Sequence, residues 1–343
     1  MKLIIYLIIF IASFKIHAGV VCANANYDID KENLSHILNK SQEFIKDKPN
    51  ARSNLKTQGL LYGEGIREQS IEARSDFQKA EFLAFSWRIT KDPIYLNKTK
   101  QILLAWAKIY KPSFNPIDET KFSDLFKAYI LIKDDLNLDD QNKIKTWISS
   151  FSQGYLIELI NNSNKENPQF TNWQSHRIKL ALFSAISIDD KNAINMILNF
   201  YREQVYKNIS NSGEVYDFTT RDSIGYSVYS LTPLIETLLL INDNYPSWIK
   251  KNEDVKNRIL LGVSWLKPYI LKNKIHKEFN NSKIQFDHIR YDKIINNNTN
   301  NWNPKNSANL IWMSTYFDNN NLSLAKQLYK KEPSLIKLCY GNQ

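Results

Sequence analysis

Apolar side chains return every three or four positions through almost the whole chain from residue 28 onward. That spacing follows the turn of an α-helix and leaves each stretch with a face that has to be buried. In "SDFQKAEFLAFSWRITKD" (75–92), Phe77, Ala80, Phe82, Leu83, Phe85, Ser86 and Trp87 make a broad stripe. Ser75 or Asp76 is placed to cap its start. "DPIYLNKTKQILLAWAKIY" (92–110) repeats the pattern, with Pro93 near a helix start. The same reading predicts helices over 28–47, 118–135, 138–160, 189–210, 222–242 and 253–271, and two more near 303–317 and 323–331. A further apolar run, 180–186, continues the polar stretch "FTNWQSHRIK" (170–179) as a helix. Three stretches break the rhythm. Residues 57–73 hold three glycines and read as an ordered loop, 211–223 as a turn into an extended piece, and 273–292 as short strands or a loop.

Helices of this kind bury their stripes against one another. The chain has only 9 glycines in 343 residues, fewer than all-β turns or nucleotide-binding loops usually need. No fixed repeat period is visible, so a tetratricopeptide-like array is not supported. The expected fold class is all-α, with a toroid or incomplete barrel of antiparallel helix pairs fitting as one domain. Packing rules alone do not separate it from a superhelix.

The first residues have a different character. A lysine at position 2, an apolar stretch from Leu3 to Phe14 and small residues around Ala18, Ala23 and Ala25 have the layout of a secretory signal peptide over 1–25. The expected arrangement is therefore an exported, soluble domain over 26–343, periplasmic or secreted, with no integral membrane segment left after cleavage. Cleavage after Ala18 leaves both cysteines, Cys22 and Cys339, which an oxidising compartment would allow to pair. The formal charge of +10 suits an anionic partner, although no nucleic-acid fold signature is present and none is expected as partner. Five scattered histidines show no metal-ligand spacing, and no nucleotide fingerprint occurs, so neither metal nor cofactor is expected.

Two segments carry the chemistry. Asn172, His176 and Arg177 lie at the head of one predicted helix. Arg221, Asp222 and Tyr226 lie at or just before the start of another. Four residues separate 222 from 226, which would put both on one face. By pattern alone, the structural readings stand beside this one: Tyr226 as a core tyrosine with a satisfied hydroxyl, Arg221 as a partner for Asp222, and His176 as a helix-face histidine.

Taken together, "NWQSHR" (172–177) and "RDSIGYSVYSLTPL" (221–234) resemble the two signature regions of alginate-lyase-type polysaccharide lyases. The helical stretch 81–110 and "PSFNPIDET" (112–120) are similar as well, and the resemblance runs from about 55 to 290. It implies an (α/α) toroid that cleaves uronate polysaccharides such as alginate or polymannuronate by β-elimination. In that reaction Asn, His and Arg neutralise the C5 carboxylate, and a tyrosine moves the proton. Carried over, Asn172 and His176 match the carboxylate-neutralising segment, Tyr226 the catalytic tyrosine and Arg221 the arginine before it. Thr171 and Ser227 depart from the family's usual residues at their positions, which bears on the substrate. Candidates for further contact with sugar are Trp173, Arg177, Tyr229, Tyr62, Arg67, His276 and Arg290. Core packing for Trp173 and a structural ion pair for Arg177 stand beside that reading. A hydrolase on the same kind of toroid is the alternative, with Glu64, Asp118, Glu214, Asp217 and Asp287 as its acids. An inactive glycan-binding relative is another.

Overall fold

The computed structural model describes residues 31–166, 169–296 and 302–340. The expected signal peptide, and Cys22 with it, lie outside the described residues. Cys339 is buried.

The first helices are α1 (Lys31–Ile45), α2 (Arg67–Ala73), α3 (Ser75–Thr90), α4 (Pro93–Ile109), α5 (Pro116–Glu119) and α6 (Phe122–Ile132). The middle of the chain forms α7 (Leu138–Ser163), α8 (Asn172–Ser187), α9 (Lys191–Asn208), α10 (Tyr216–Arg221) and α11 (Ile224–Asn244). Then come α12 (Pro246–Lys251), α13 (Glu253–Ile270), α14 (Gln285–Asn296), α15 (Ala308–Ser314), α16 (Leu322–Leu328) and α17 (Ser334–Tyr340). No strand occurs among the described residues; one isolated antiparallel bridge joins Ile209 to Val215.

The helices form two layers of a toroid. Inside, α3 packs on α6, α6 on α8, α8 on α11 and α11 on α15. Outside, α4 lies against α3, α7 against α4 and α8, α9 against α8, and α13 against α9 and α11. Each long inner helix is followed by an outer one that runs back, so the inner helices point the same way and their N-terminal ends meet at one mouth. The ring closes where α17 packs on α1, with Ser334 Oγ donating to Asn33 Oδ1 at 2.8 Å.

The layers explain the apolar patterns. Inner helices are enclosed on nearly all sides: α8 buries all its residues but Trp173 and Arg177. The outer α9 keeps a single buried stripe through Ile194, Ile197, Leu198, Tyr201 and Val205. By length and composition α11 would suit a membrane span, but it is the core of this ring, with most of its side chains buried against neighbours.

Several local expectations change. Residues 57–66 are loop, but α2 forms after them. Neither Ser75 nor Asp76 caps α3: Arg74 continues from α2 in helical conformation, and buried Asp76 accepts from Asn50 N at 2.7 Å and Trp106 Nε1 at 2.9 Å. The piece expected to be extended before 223 is the helix α10. It follows a turn at Gly213, whose φ of 88° and closeness to the Leu261 carbonyl (2.6 Å from an added Cβ) require glycine. No strand forms over 273–292. Backbone N–H groups there are taken by the α10–α11 turn instead, Phe279 N by Asp222 O (2.7 Å) and Lys283 N by Thr220 O (3.2 Å).

Candidate active site

A cleft of about 1680 Å³ opens at the mouth of the ring and runs down between the inner helices. Its lining repeats at helical spacing: Asn172, Trp173, His176, Lys179 and Phe183 on α8, and Tyr226, Tyr229, Thr232 and Glu236 on α11. The uppermost side chains sit on first turns. Of the inner helices here, α3, α6 and α8 have no hydrogen bond to the side chain of their N-cap residue.

Tyr226 is placed by a sharp turn. Asp222 ends α10 in the left-handed region (φ 47°), which turns the chain between two helices. The face expected to hold both 222 and 226 therefore does not exist. Asp222 turns back to accept from Asn281 N at 2.6 Å, while Ser223 caps α11 by accepting from Tyr226 N at 3.1 Å. Glu278 completes the cap, accepting from Ile224 N (2.8 Å), Gly225 N (3.1 Å) and Ser223 Oγ. Burial pushes the Glu278 carboxyl up, and these hydrogen bonds oppose the shift.

The turn brings Arg221 back over Tyr226. The guanidinium carbon stands 3.8 Å from the ring centroid, and Nη2 donates to Tyr226 Oη at 2.8 Å. Arg290 Nη1, from α14, donates to the same oxygen at 2.9 Å. Arg221 is held by a bidentate pair to Asp287, both contacts 2.5 Å, and Ser282 Oγ also donates to Asp287 at 2.7 Å. Burial works against the Arg221 charge, but Asp287 outweighs it and holds the group above its ordinary value. The expected partner for Arg221 was Asp222; the observed partner is 66 residues away, on α14.

On the adjoining wall, Asn172 Nδ2 donates to Asp217 Oδ1 at 2.5 Å, and Asn208 Nδ2 donates to Asp217 Oδ2 at 3.3 Å. Burial raises Asp217. His176 is 3% exposed; its Nδ1 lies 2.7 Å from Thr120 Oγ1, and its ring lies 4.4 Å from that of Tyr229. Nε2 is buried with no hydrogen-bond partner. Burial, then Lys179 and Lys121, hold His176 well below its ordinary value, so it is a neutral imidazole at pH 7. The Tyr229 backbone acts on the same ring. Four residues on, Pro233 has no N–H to offer the Tyr229 carbonyl, so a proline inside α11 leaves that acceptor free beside the histidine.

Of the candidates for sugar contact, Tyr62, Arg67, Trp173, Tyr229 and Arg290 line the cleft. Tyr62 is 85% exposed at its rim. Burial pushes the Tyr229 hydroxyl up. Two candidates do not belong. Arg177 leaves the cleft: its guanidinium lies over Trp173 at 5.8 Å, and Nη1 donates to Gln174 Oε1 at 3.3 Å within its own helix. His276 is a strut, with Nε2 3.0 Å from the Asp222 carbonyl oxygen and its ring against Phe218. Thr171 and Ser227, the departures linked to the substrate, are not part of the cleft lining.

The five acids a hydrolase would draw on are committed elsewhere. Asp118 accepts from Thr57 N (2.6 Å) and Gln58 N (2.8 Å), Glu64 from Leu61 N (2.6 Å), and Glu214 from Thr219 Oγ1 (3.1 Å). Asp217 and Asp287 orient Asn172 and Arg221, and none of the five lines the cleft.

Sequence reasoning missed the charged residues deeper down. Lys127 pairs with Glu81 (2.6 Å) and Asp124 (3.2 Å), and Lys179 with Glu236 (3.0 Å). The signal was there: 121, 124 and 127, from the N-cap of α6 into the helix, and 172, 176 and 179 on α8, are polar positions three or four apart in otherwise apolar stretches.

The alginate lyase family model matches residues 23–276. Among solved structures, the chain is similar to an alginate lyase from Bacteroides ovatus, with a TM-score of 0.62, 14% identity, and coverage of 93% of this chain and 96% of that one. It is also similar to alginate lyase A1-III from Sphingomonas species A1, with a TM-score of 0.53, 14% identity, and coverage of 94% and 97%. No curated protein matches. At these identities the structural likeness speaks for the toroid.

Proposed function

The chain belongs to the alginate lyase family of polysaccharide lyases, and from that premise we propose that it is exported and cuts an anionic uronate polysaccharide of the alginate or polymannuronate kind. The observation that carries the proposal is Tyr226 Oη, held at the cleft mouth by two guanidinium donors at 2.8 and 2.9 Å. The N-terminal pattern of lysine, apolar stretch and small residues supports export.

The proton at C5 of a uronate is a weak acid while its carboxylate is ionised. Donors that strengthen their hold on that carboxylate as charge moves onto it lower the barrier. Asn172, with one amide N–H fixed on Asp217, has a second to offer, and Arg221 and Arg290 bring positive charge. Tyr226 enters the step as the phenolate, takes the C5 proton and becomes the neutral phenol. The electron pair left behind forms the C4–C5 double bond, the C4–O4 bond breaks, and the leaving O4 receives a proton from the tyrosine. Negative charge on the tyrosine oxygen along this path meets both arginines. His176 is neutral and packs beside Tyr229 in the cleft lining, so its part is to shape the carboxylate pocket rather than to carry charge.

The test is incubation with alginate, polymannuronate, polyguluronate, glucuronan and hyaluronan while following the ultraviolet absorbance of the unsaturated uronate product. Absorbance should rise with at least one of the uronate polymers. Tyr226→Phe should abolish the signal with an unchanged circular dichroism spectrum. Asn172→Ala should lower turnover by about 10²–10³-fold, the usual effect of losing one donor to a developing anion. A fully active Tyr226→Phe enzyme would remove the tyrosine from the mechanism. Reducing ends without absorbance would mean hydrolysis.

A further inference from the structure

The reacting residues sit between two walls of different chemistry. Asn172 and Tyr226 are on α8 and α11, which pack on each other. Beyond α8 the inner layer continues to α6 and then α3, and beyond α11 it continues to α15. The α3 and α6 wall presents Arg74, Gln78 and Glu81, then Lys121, Asp124 and Lys127, to the cleft. The α15 wall, with residues 303–307 leading into it, presents Asn303, Asn306, Asn309 and Met313, none of them charged.

Most cations of the cleft are already neutralised. Lys127 is held by Glu81 and Asp124, Lys179 by Glu236, Arg67 by Glu68 and Arg221 by Asp287. Arg290 donates to Tyr226. Arg74 and Lys121, the N-cap residues of α3 and α6, line the same cleft. Among the described residues neither side chain has an ion pair or a hydrogen bond. Arg74 is half-buried. Burial pulls its guanidinium below the ordinary value, and the fields of Tyr229 and Asp118 do not make up the difference. It remains a cation at pH 7. A charge taken part-way out of water without a counter-ion costs the fold free energy, and a carboxylate entering the cleft would offset that cost. Lys121 is exposed, but its starting point is fixed. The residue before it, Thr120, has its Oγ1 2.7 Å from His176 Nδ1, and the His176 ring lies 4.4 Å from that of Tyr229. Packed helices stand roughly 8–10 Å apart, so Lys121 is one helix beyond Asn172 and Arg74 two. A polymer lying across the starts of α11, α8, α6 and α3 presents its next carboxylates to these two cations.

Resting on the lyase reading above, we propose that Arg74 and Lys121 bind the carboxylates of the uronates on one side of the reacting sugar, while the asparagines of the α15 wall meet hydroxyls on the other. The enzyme then requires charged sugars on one flank of the cut and accepts neutral ones on the other. A guanidinium forks onto a carboxylate with two parallel N–H donors, and a hydroxymethyl group in its place leaves that charge unanswered. Side-chain amides both donate and accept, which matches sugar hydroxyls and supplies no counter-charge to a carboxylate.

The test is calorimetric binding of Tyr226→Phe protein to mannuronate hexasaccharides in three forms: fully charged, with the carboxylates of the reducing-end half reduced to alcohols, and with those of the non-reducing-end half reduced. One half-reduced form should bind within about twofold of the charged one and the other at least about tenfold more weakly, the usual worth of a charge-assisted contact. Equal losses for both forms, or no loss for either, overturn the inference. Adding Arg74→Gln should weaken the charged hexasaccharide by about tenfold and remove most of the difference between the two half-reduced forms, which a merely structural role for Arg74 would not do. Lys121→Gln, a change at an exposed side chain, should narrow the same difference. A difference that survives both substitutions overturns the assignment to these residues. Binding needs no turnover, so the two readings fail separately. Wild-type protein that yields no absorbance on any uronate polymer, while the hexasaccharides bind as expected, overturns the lyase reading and keeps the charged flank. Absorbance together with symmetric losses does the reverse.

Discussion

Tyr226, Arg221 and Asn172 were legible as a set because their neighbours in the chain carry a recognisable pattern. What holds each of them was not. Arg221 depends on Asp287, and Asn172 on Asp217; both carboxylates come from segments with no local signal for the task. Asp287→Asn should leave a half-buried guanidinium without its counter-charge and lower stability by about 3 kcal/mol in urea unfolding. It should also reduce kcat more than it raises KM, because the arginine that meets charge on Tyr226 is no longer fixed. His176 gives a pH signature. Its folded form resists protonation, so the native state stays neutral below the ordinary value of about 6.5 while the unfolded chain takes up a proton. The unfolded state then binds more protons, and stability must decline as pH falls below about 6.5. His176→Gln should remove that component from the stability profile measured by urea unfolding. The rate profile of the native enzyme should lack a histidine inflection near 6.5.

Elements were predicted well where the helical period was long and uninterrupted. α4, α7, α9 and α13 fall within a few residues of expectation. The errors cluster at junctions. The sequence predicts an extended piece where α10 forms and a helix running on from 222, because nothing local reveals that Asp222 adopts the left-handed conformation. That conformation is stabilised by the 276–281 segment, which reaches Asp222 through His276, Phe279 N and Asn281 N. Glu278 from the same segment caps α11 directly beneath Tyr226. Glu278→Ala should cost about 1–2 kcal/mol, as losing a helix cap does. It should speed hydrogen exchange at Ile224 and Gly225, and it should lower kcat because the turn carrying Tyr226 frays. Normal exchange at those amides would show that Ser223 alone is a sufficient cap.

At the scale of the molecule, the fold gathers Arg221, Arg290, Arg74 and Lys121 into the lining of one cleft. The field of such an arrangement draws in a polyanion from a distance. Salt shortens that reach, from a screening length of about 10 Å at 0.1 M to about 3 Å at 1 M. KM for a uronate polymer should therefore rise several-fold across that range of ionic strength while kcat changes little, in steady-state kinetics. A flat KM would mean that short-range contacts alone hold the substrate. The amino-acid sequence by itself determined that the chain is a succession of helices, since periodicity and scarce glycine are local properties. With the two signature segments, it also pointed to a toroid and to the residues proposed for the chemistry. Only the tertiary structure decided which helices are inner, which carboxylate holds Arg221 and which holds Asn172, that Arg177 and His276 stand outside the cleft lining, and that α17 packs on α1 to close the ring. Those outcomes depend on contacts between residues tens to hundreds of positions apart, and helical periodicity holds no information about which distant partner a side chain will meet.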